Sequence, residues 1–270
     1  FQKINNMTKI HILLVFFLCP LIAFSCSKPT LPNPVVTDKP ADSATITQYP
    51  ASILHLKSWK LTLPVDTEHN GSPDEIKQPE LETYTSQFLY LNPTKDAVVF
   101  KAFTGGETTK GSNYPRSELR EMSADGKQPA SWSSVTGRHI LYIDQRVTHL
   151  PDVRKHIVIG QIHDASRYTI FYRLEGSKLL ISVNKGDKIV LDANYVLGTR
   201  FNVMFDVADG QTKCFYNGKL VYVHKEKFEG AYFKAGAYVQ SSCKGDKKVV
   251  GEPCDSYGSV EIFETWVKHE

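Results

Sequence analysis

The sequence predicts an all-β fold, a two-sheet sandwich or jelly roll, and three observations carry that prediction. From Trp59 onward, short runs rich in Val, Ile, Tyr and Phe recur between Gly, Asn, Asp and Pro, and nothing of helical period is long enough to compete. About a dozen such runs follow one another, more than a small barrel uses. No repeat with a period of about 20 to 50 residues is visible, which argues against a propeller or a β-helix.

The runs, in order, are WKLTL, FLYLN, AVVFKAF, HILYIDQRV, HIVIGQIH, YTIFYR, KLLISV, FNVMFDV, KCFYNG, LVYVHK, YFKAGAYVQ and SVEIFETWV. Asn217-Gly218, between KCFY and KLVYV, is a two-residue hairpin signal, because both residues tolerate positive φ. At 270 residues, 41% hydrophobic and 11% aromatic, the chain can bury one large core, and the composition excludes a disordered chain.

Ahead of the strands lie two segments of different character. Ile10 to Phe24 is apolar apart from His11, follows Lys9 and ends at the small residues Ser25 and Cys26. Residues 1–26 therefore read as a secretory signal, too short and Pro-interrupted for a comfortable membrane span, with Met7 as the expected start. Cys26 is a candidate lipidation site of the bacterial lipoprotein kind, which would tether the protein to a membrane; simple cleavage nearby is the alternative. Residues 27–52 carry Pro29, Pro32, Pro34, Pro40 and Pro50 without apolar periodicity and read as a linker, leaving residues 53–270 as the folded domain. An exported location follows, either secreted or anchored at the outer membrane or cell surface, and a monomer is expected.

Loss of Lys3 and Lys9 with the signal leaves 30 of the 32 basic residues against 29 acidic ones. Such a balance gives no support to a nucleic-acid partner, and a polyanionic ligand would need its cations gathered in one place. Of the five cysteines, Cys19 and Cys26 belong to the leader. Cys243 and Cys254, eleven positions apart across a Lys/Gly/Asp/Pro-rich loop, are expected to form a disulfide in an exported protein.

Alternation along a strand shows which side chains share a face. In RSELR, Arg116, Glu118 and Arg120 point one way; in QIH, Gln161 and His163 point together while Ile162 turns to the core. In YFKAGAYVQ, Tyr232, Lys234, Gly236, Tyr238 and Gln240 form a polar face opposite Phe233, Ala235, Ala237 and Val239. Gly236 is expected to leave room for a ligand at the backbone. Taken singly, each set is an ordinary salt-bridged ladder or a packed aromatic. Together they bring guanidinium, ammonium, amide, imidazole and phenol to one surface, a set suited to binding a carboxylate and moving protons.

RSELR, QIH and YFKAGAYVQ resemble, in order and spacing, the three motifs of alginate lyases of polysaccharide lyase family seven, and SWKLTLP is similar to that family's first strand. The resemblance spans roughly residues 58–270. It implies a β-jelly roll of two antiparallel sheets with a concave substrate groove, the acidic polysaccharide alginate as partner, and neither metal nor cofactor. By matched position it implies Arg116, Gln161, His163 and Tyr238 as reacting-centre residues. Glu118, Arg120, Tyr232, Lys234 and Gln240 then bind substrate or orient the site.

In β-elimination the C5 proton of a uronate becomes removable only when charge developing on its carboxylate is neutralised, a role that suits Arg116 and Gln161. His163 is the expected base and Tyr238 the expected acid; on mannuronate, where H5 and O4 share a side, Tyr238 would serve as both. Ile at position 162 accompanies activity on guluronate-containing alginate in the family resembled. Two rival readings are a glycoside hydrolase, which needs two carboxyl groups flanking the bond, and a non-catalytic carbohydrate-binding module. Glu118 and Glu121 have the wrong parity for the first, and the second gives no reason for His163 to join Tyr238.

Overall fold

The computed structural model describes residues 48–270. The expected signal, the candidate lipidation site Cys26 and nearly all of the expected linker lie outside them. The folded body begins before the expected boundary: Pro50 and Ala51 are buried and Ala51–Leu54 forms a helical turn, α1, that takes the linker's last residues.

Fifteen strands follow: β1 (Trp59–Thr62), β2 (Glu75–Ile76), β3 (Leu89–Leu91), β4 (Val98–Phe103), β5 (Arg116–Glu121), β6 (Arg138–His149), β7 (His156–His163), β8 (Tyr168–Glu175), β9 (Lys178–Val183), β10 (Lys188–Asp192), β11 (Phe201–Ala208), β12 (Gln211–Tyr216), β13 (Lys219–Lys225), β14 (Tyr232–Val239) and β15 (Tyr257–His269). They form two antiparallel sheets, one ordered β10-β9-β8-β7-β14-β5-β1-β2 and the other β13-β12-β11-β6-β15-β4-β3. This is the expected two-sheet jelly roll. The edge strands β2 and β10 are absent from the sequence reading. β2 has only two residues, and β10 is exposed or half-exposed throughout, so neither shows the apolar alternation that marks a half-buried strand.

The inward faces of the two sheets make one core. Trp59, Leu61, Leu119, Ile162, Tyr172 and Phe233 from the first sheet meet Phe100, Leu141, Ile143, Phe205 and Ile262 from the second, all at 1% exposure or less. Contact with the second sheet explains the small residues behind the site. A Cβ at Gly160 would lie 2.7 Å from Ile143 Cδ1. At Gly236 a Cβ would lie 2.6 Å from the Ser117 carbonyl oxygen and 3.1 Å from Phe100 Cδ1. Gly236 also has φ 136°, where the register between β14 and β7 slips between Ala235 and Tyr238. Gly236 therefore serves the bulge and the approach of the second sheet, not a ligand at the groove surface as the alternation suggested.

Asn217 and Gly218 turn the β12–β13 hairpin with φ 48° and 74°, as the dipeptide predicts. Cys243 and Cys254 are joined, Cα atoms 5.1 Å apart, and Cys214 is a buried free thiol. Within the disulfide loop, the Glu252 carboxylate accepts the backbone N–H groups of Asp152, Val153 and Arg154 at 3.0, 3.2 and 2.9 Å. That clamps the turn that leads into β7.

Candidate active site

The three strands singled out by alternation are neighbours, with β14 between β7 and β5 at the middle of the first sheet. Register aligns their polar residues across the strands. Lys60, Arg120, Lys234 and Gln161 are successive Cα partners on β1, β5, β14 and β7, and Tyr232 is opposite His163 while Tyr238 is opposite Arg116. Strands lie about 4.8 Å apart, so this row sets one binding group per strand along a line perpendicular to the chain.

These side chains line a groove of about 740 Å³ on the outer face of the sheet. Loops add Lys110, Arg167 and Lys185, so with Lys60, Arg116, Arg120 and Lys234 seven cations face one carboxylate, Glu75. Lys60 is paired with Glu75 at 2.6 Å and Arg167 with Glu226 at 2.6 Å, and Arg116 and Lys234 share one buried carboxylate, Glu118; with Lys110, Arg120 and Lys185 the groove keeps a positive excess. The near-neutral chain thus concentrates its positive charge where a polyanion would bind.

Beneath the groove floor Glu118, 1% exposed, organises the cluster. Its Oε2 accepts Arg116 Nη1 at 2.8 Å and Lys234 Nζ at 2.6 Å, and its Oε1 accepts Gln161 Nε2 at 2.6 Å. Burial pushes the Glu118 carboxyl up, but Lys234 and Arg116 together outweigh it and hold the group below the ordinary carboxylate range. Burial and then Arg116 draw the Lys234 ammonium down to about 8, against the pull of Glu118. A lone buried carboxylate would cost several kcal/mol; three strong donors offset that cost and are themselves fixed by it.

Two expected placements change. Glu118 is not on the groove surface: both its oxygens are taken by protein donors, so it positions Arg116, Lys234 and Gln161 rather than facing a ligand. Alternation put it on the right side of the sheet, but longer neighbours close over it. Gln240 is 8% exposed, lies one residue past β14 and is not part of the groove lining. Arg120 and Tyr232 do line it, and the Arg120 guanidinium lies 3.9 Å over the Tyr232 ring, whose other neighbour is the stacked His163 ring at 5.2 Å.

His163 Nδ1 lies 2.7 Å from the Asp164 carbonyl oxygen. A carbonyl only accepts, so Nδ1 carries the proton and the neutral ring keeps its lone pair on Nε2. Burial is the main cause that holds the imidazole below its ordinary pKa, and thus in the form a base needs. At the other side of the floor, Tyr238 lies beneath the Arg116 guanidinium, 3.7 Å from ring centroid to Cζ, and its hydroxyl is 2.9 Å from Ser112 Oγ. Arg116 Nε has no partner among the described residues. Ser112, Lys110, Arg167 and Lys185 escaped the sequence reading because loop residues carry no periodicity.

A jelly roll with a cationic groove, a neutral imidazole and a phenol on a carboxylate-braced floor is built as a polysaccharide lyase. The sequence profile of the alginate lyase family matches residues 54–269, and the chain belongs to that family. Alginate lyase AlgAT5 from polysaccharide lyase family 7 is 45% identical, with a TM-score of 0.77 over 83% of this chain and 100% of that one. The alginate lyase from Corynebacterium sp. is 40% identical, with a TM-score of 0.76 over 82% and 98%. Alginate lyase A1-II′, 26% identical at a TM-score of 0.70 over 82% and 97%, has been solved with a substrate written GGMG after replacement of one histidine and one tyrosine. A Klebsiella pneumoniae alginate lyase is 37% identical over 79 residues, 28% of this chain and 26% of that protein, so the match spans about a quarter of that curated relative's length.

Proposed function

We propose that this protein cleaves alginate by β-elimination in the groove, leaving 4,5-unsaturated uronate ends, and favours guluronate-containing blocks. One observation carries the reading: Glu118 holds Arg116, Gln161 and Lys234 together under an open groove, with His163 on one side and Tyr238 on the other. The unfilled donors of Arg116 and the second N–H of Gln161 would receive the uronate carboxylate and stabilise the charge that grows on it as H5 leaves. Nε2 of His163 takes that proton, and the Tyr238 hydroxyl gives one to the departing O4. A hydrolase would need two carboxyl groups at the bond, and Glu75, the groove's one carboxylate, is tied to Lys60.

The guluronate preference rests on placement of the two proton carriers. Tyr238 is opposite Val158, five residues along β7 from His163, roughly 15 Å at the backbone by strand rise. Two proton carriers set apart suit guluronate, whose H5 and O4 lie on opposite sides, better than mannuronate, where one group can serve both. Alginate lyase A1-II′, crystallised with a GGG product, offers a relative with the same kind of ligand. Ile162, fully buried behind Gln161 and His163, is the position through which core packing would adjust both.

Incubation with alginate should produce the ultraviolet absorbance of a conjugated uronate, and Tyr238→Phe should abolish nearly all of it with the fold intact. Purified polyguluronate or mixed blocks should be cut faster than polymannuronate, with Ile162→Val narrowing the ratio; a polymannuronate preference would overturn the specificity. We also infer export, because the Cys243–Cys254 disulfide suits an oxidising compartment. Cys26→Ser should release the protein from membranes if that residue is the anchor.

A further inference from the structure

We propose that Ser112 is a positioning residue that fixes the direction of the Tyr238 hydroxyl proton. The inference rests on Tyr238 being the proton donor, and it comes from counting hydrogen bonds at one oxygen. Ser112 Oγ receives the Tyr114 backbone N–H at 3.2 Å and Arg116 Nη2 at 3.0 Å. Neither of these groups can accept. A serine hydroxyl has two acceptor lone pairs and one proton, so both lone pairs are in use. The contact of 2.9 Å with Tyr238 Oη is therefore made with the serine proton, which has only the more distant Tyr114 carbonyl oxygen, at 3.2 Å, as a competing acceptor.

It follows that Tyr238 accepts from Ser112 and does not spend its own proton there. With its ring held by the Arg116 guanidinium, its remaining O–H is left to the groove that it lines. When that proton passes to the leaving oxygen, the phenolate inherits a donor already in place. The Ser112–Tyr238 hydrogen bond then becomes charge-assisted at the moment the charge appears, which is the condition for helping the transition state more than the ground state. Ser112 is held for this role from outside the groove. Tyr114 Oη accepts Arg154 Nη1 at 2.7 Å, and the backbone N–H of Arg154 is bound by Glu252 within the disulfide loop. None of this is visible in the sequence, where Ser112 sits in the stretch Gly111-Ser112-Asn113 with no pattern to single it out.

The test is steady-state kinetics on alginate for Ser112→Ala, Ser112→Thr and Tyr238→Phe, with a urea midpoint for each. Ser112→Ala should lower kcat about 10- to 100-fold, with any rise in KM from the acceptor that Arg116 Nη2 loses smaller than the fall in kcat. Ser112→Thr, which keeps the hydroxyl, should return kcat to within about threefold of the parent. Should Ser112→Ala unfold, the isosteric pair Ser112→Thr and Ser112→Val carries the test: valine should lose the same factor relative to threonine, and equal rates would overturn the proposal. A kcat within twofold of the parent in Ser112→Ala overturns it too, as does a loss confined to KM that threonine fails to restore. Tyr238→Phe separates the two readings. If it stays active, the role of Tyr238 itself falls; if it is inactive while Ser112→Ala is normal, only the Ser112 inference falls.

Discussion

Glu118 and Glu121 stand three residues apart on one strand, are both 1% exposed, and do different work. Glu118 turns to the groove side and gathers Arg116, Lys234 and Gln161. Glu121 turns to the other side, where its Oε2 accepts Trp132 Nε1 at 3.0 Å and the Phe233 N–H at 2.8 Å, and its Oε1 meets His269 Nε2 at 2.6 Å. His269 in turn meets His139 through their Nδ1 atoms at 2.7 Å, so Glu121 on the first sheet is tied to β15 and β6 on the second. Burial of a carboxylate is therefore no mark of function by itself. What separates the two is whether the groups they hold end in a cavity or in more protein.

The sharpest way to break this contrast is to remove each carboxylate. Glu118→Ala should cost activity about a thousandfold or more, since it releases three groups of the groove floor and leaves two buried cations unpaired. It should also cost about 3–5 kcal/mol of stability, read from urea unfolding. Glu121→Ala should cost about 2–4 kcal/mol, because the Trp132, Phe233 and His269 donors lose their acceptor, yet leave the rate per folded molecule within about threefold. An activity loss in Glu121→Ala as deep as in Glu118→Ala would erase the distinction.

Smaller effects come from protons. As pH rises through about 8, Lys234 loses its charge and kcat/KM should fall; Lys234→Arg should move that limb upward in a pH–rate profile. In the acid direction the proposed mechanism requires a neutral His163, and burial holds its pKa below 6.5. Activity should therefore persist below pH 6.5 and fall only as His163 protonates. The smallest effect is on stability. His139, His156 and His163 all resist protonation in the fold, chiefly through burial, with His156 at about 4. The unfolded chain takes up these protons first, near pH 6.5. Stability should then decline as pH drops from 6.5 toward 4, with carboxylates held low, such as Glu118 and Glu252, adding a further loss at more acid pH. His156→Gln should flatten part of the slope between 6.5 and 4 in urea midpoints measured across the range.

Much of this was legible in the sequence because sheets obey a period of two. Alternation placed Arg116, Arg120, Gln161, His163, Lys234 and Tyr238 on one face, put Ile162 in the core, and gave Glu118 and Glu121 opposite sides. The hairpin at Asn217-Gly218 and the Cys243–Cys254 bridge follow from local chemistry. Depth was not legible: parity gives a side of the sheet, not whether a neighbour covers the residue, so Glu118 and Gln240 were read as surface. Gly236 was misread for the same reason, since the pressure on it comes from the Ser117 carbonyl on β5 and from Phe100 on the facing sheet, both distant in sequence. Ser112 and the loop cations needed the folded backbone to bring them to the groove.

The row of Lys60, Arg120, Lys234 and Gln161 works like the teeth of a comb, one tooth from each of four separate stretches of chain. Exchanging Lys60 or Arg120 changes one tooth without disturbing strand register, whereas Lys234 and Gln161 are tied together through Glu118. Inserting a single residue within β5 or β14 is far harsher, because every side chain beyond the insertion swaps faces. That would push Arg120 or Tyr238 into the core and bring an apolar residue out to replace it. The groove is thus less tolerant of changes in length than of changes in letters at Lys60 and Arg120, which makes substitution at those two positions the practical way to retune it.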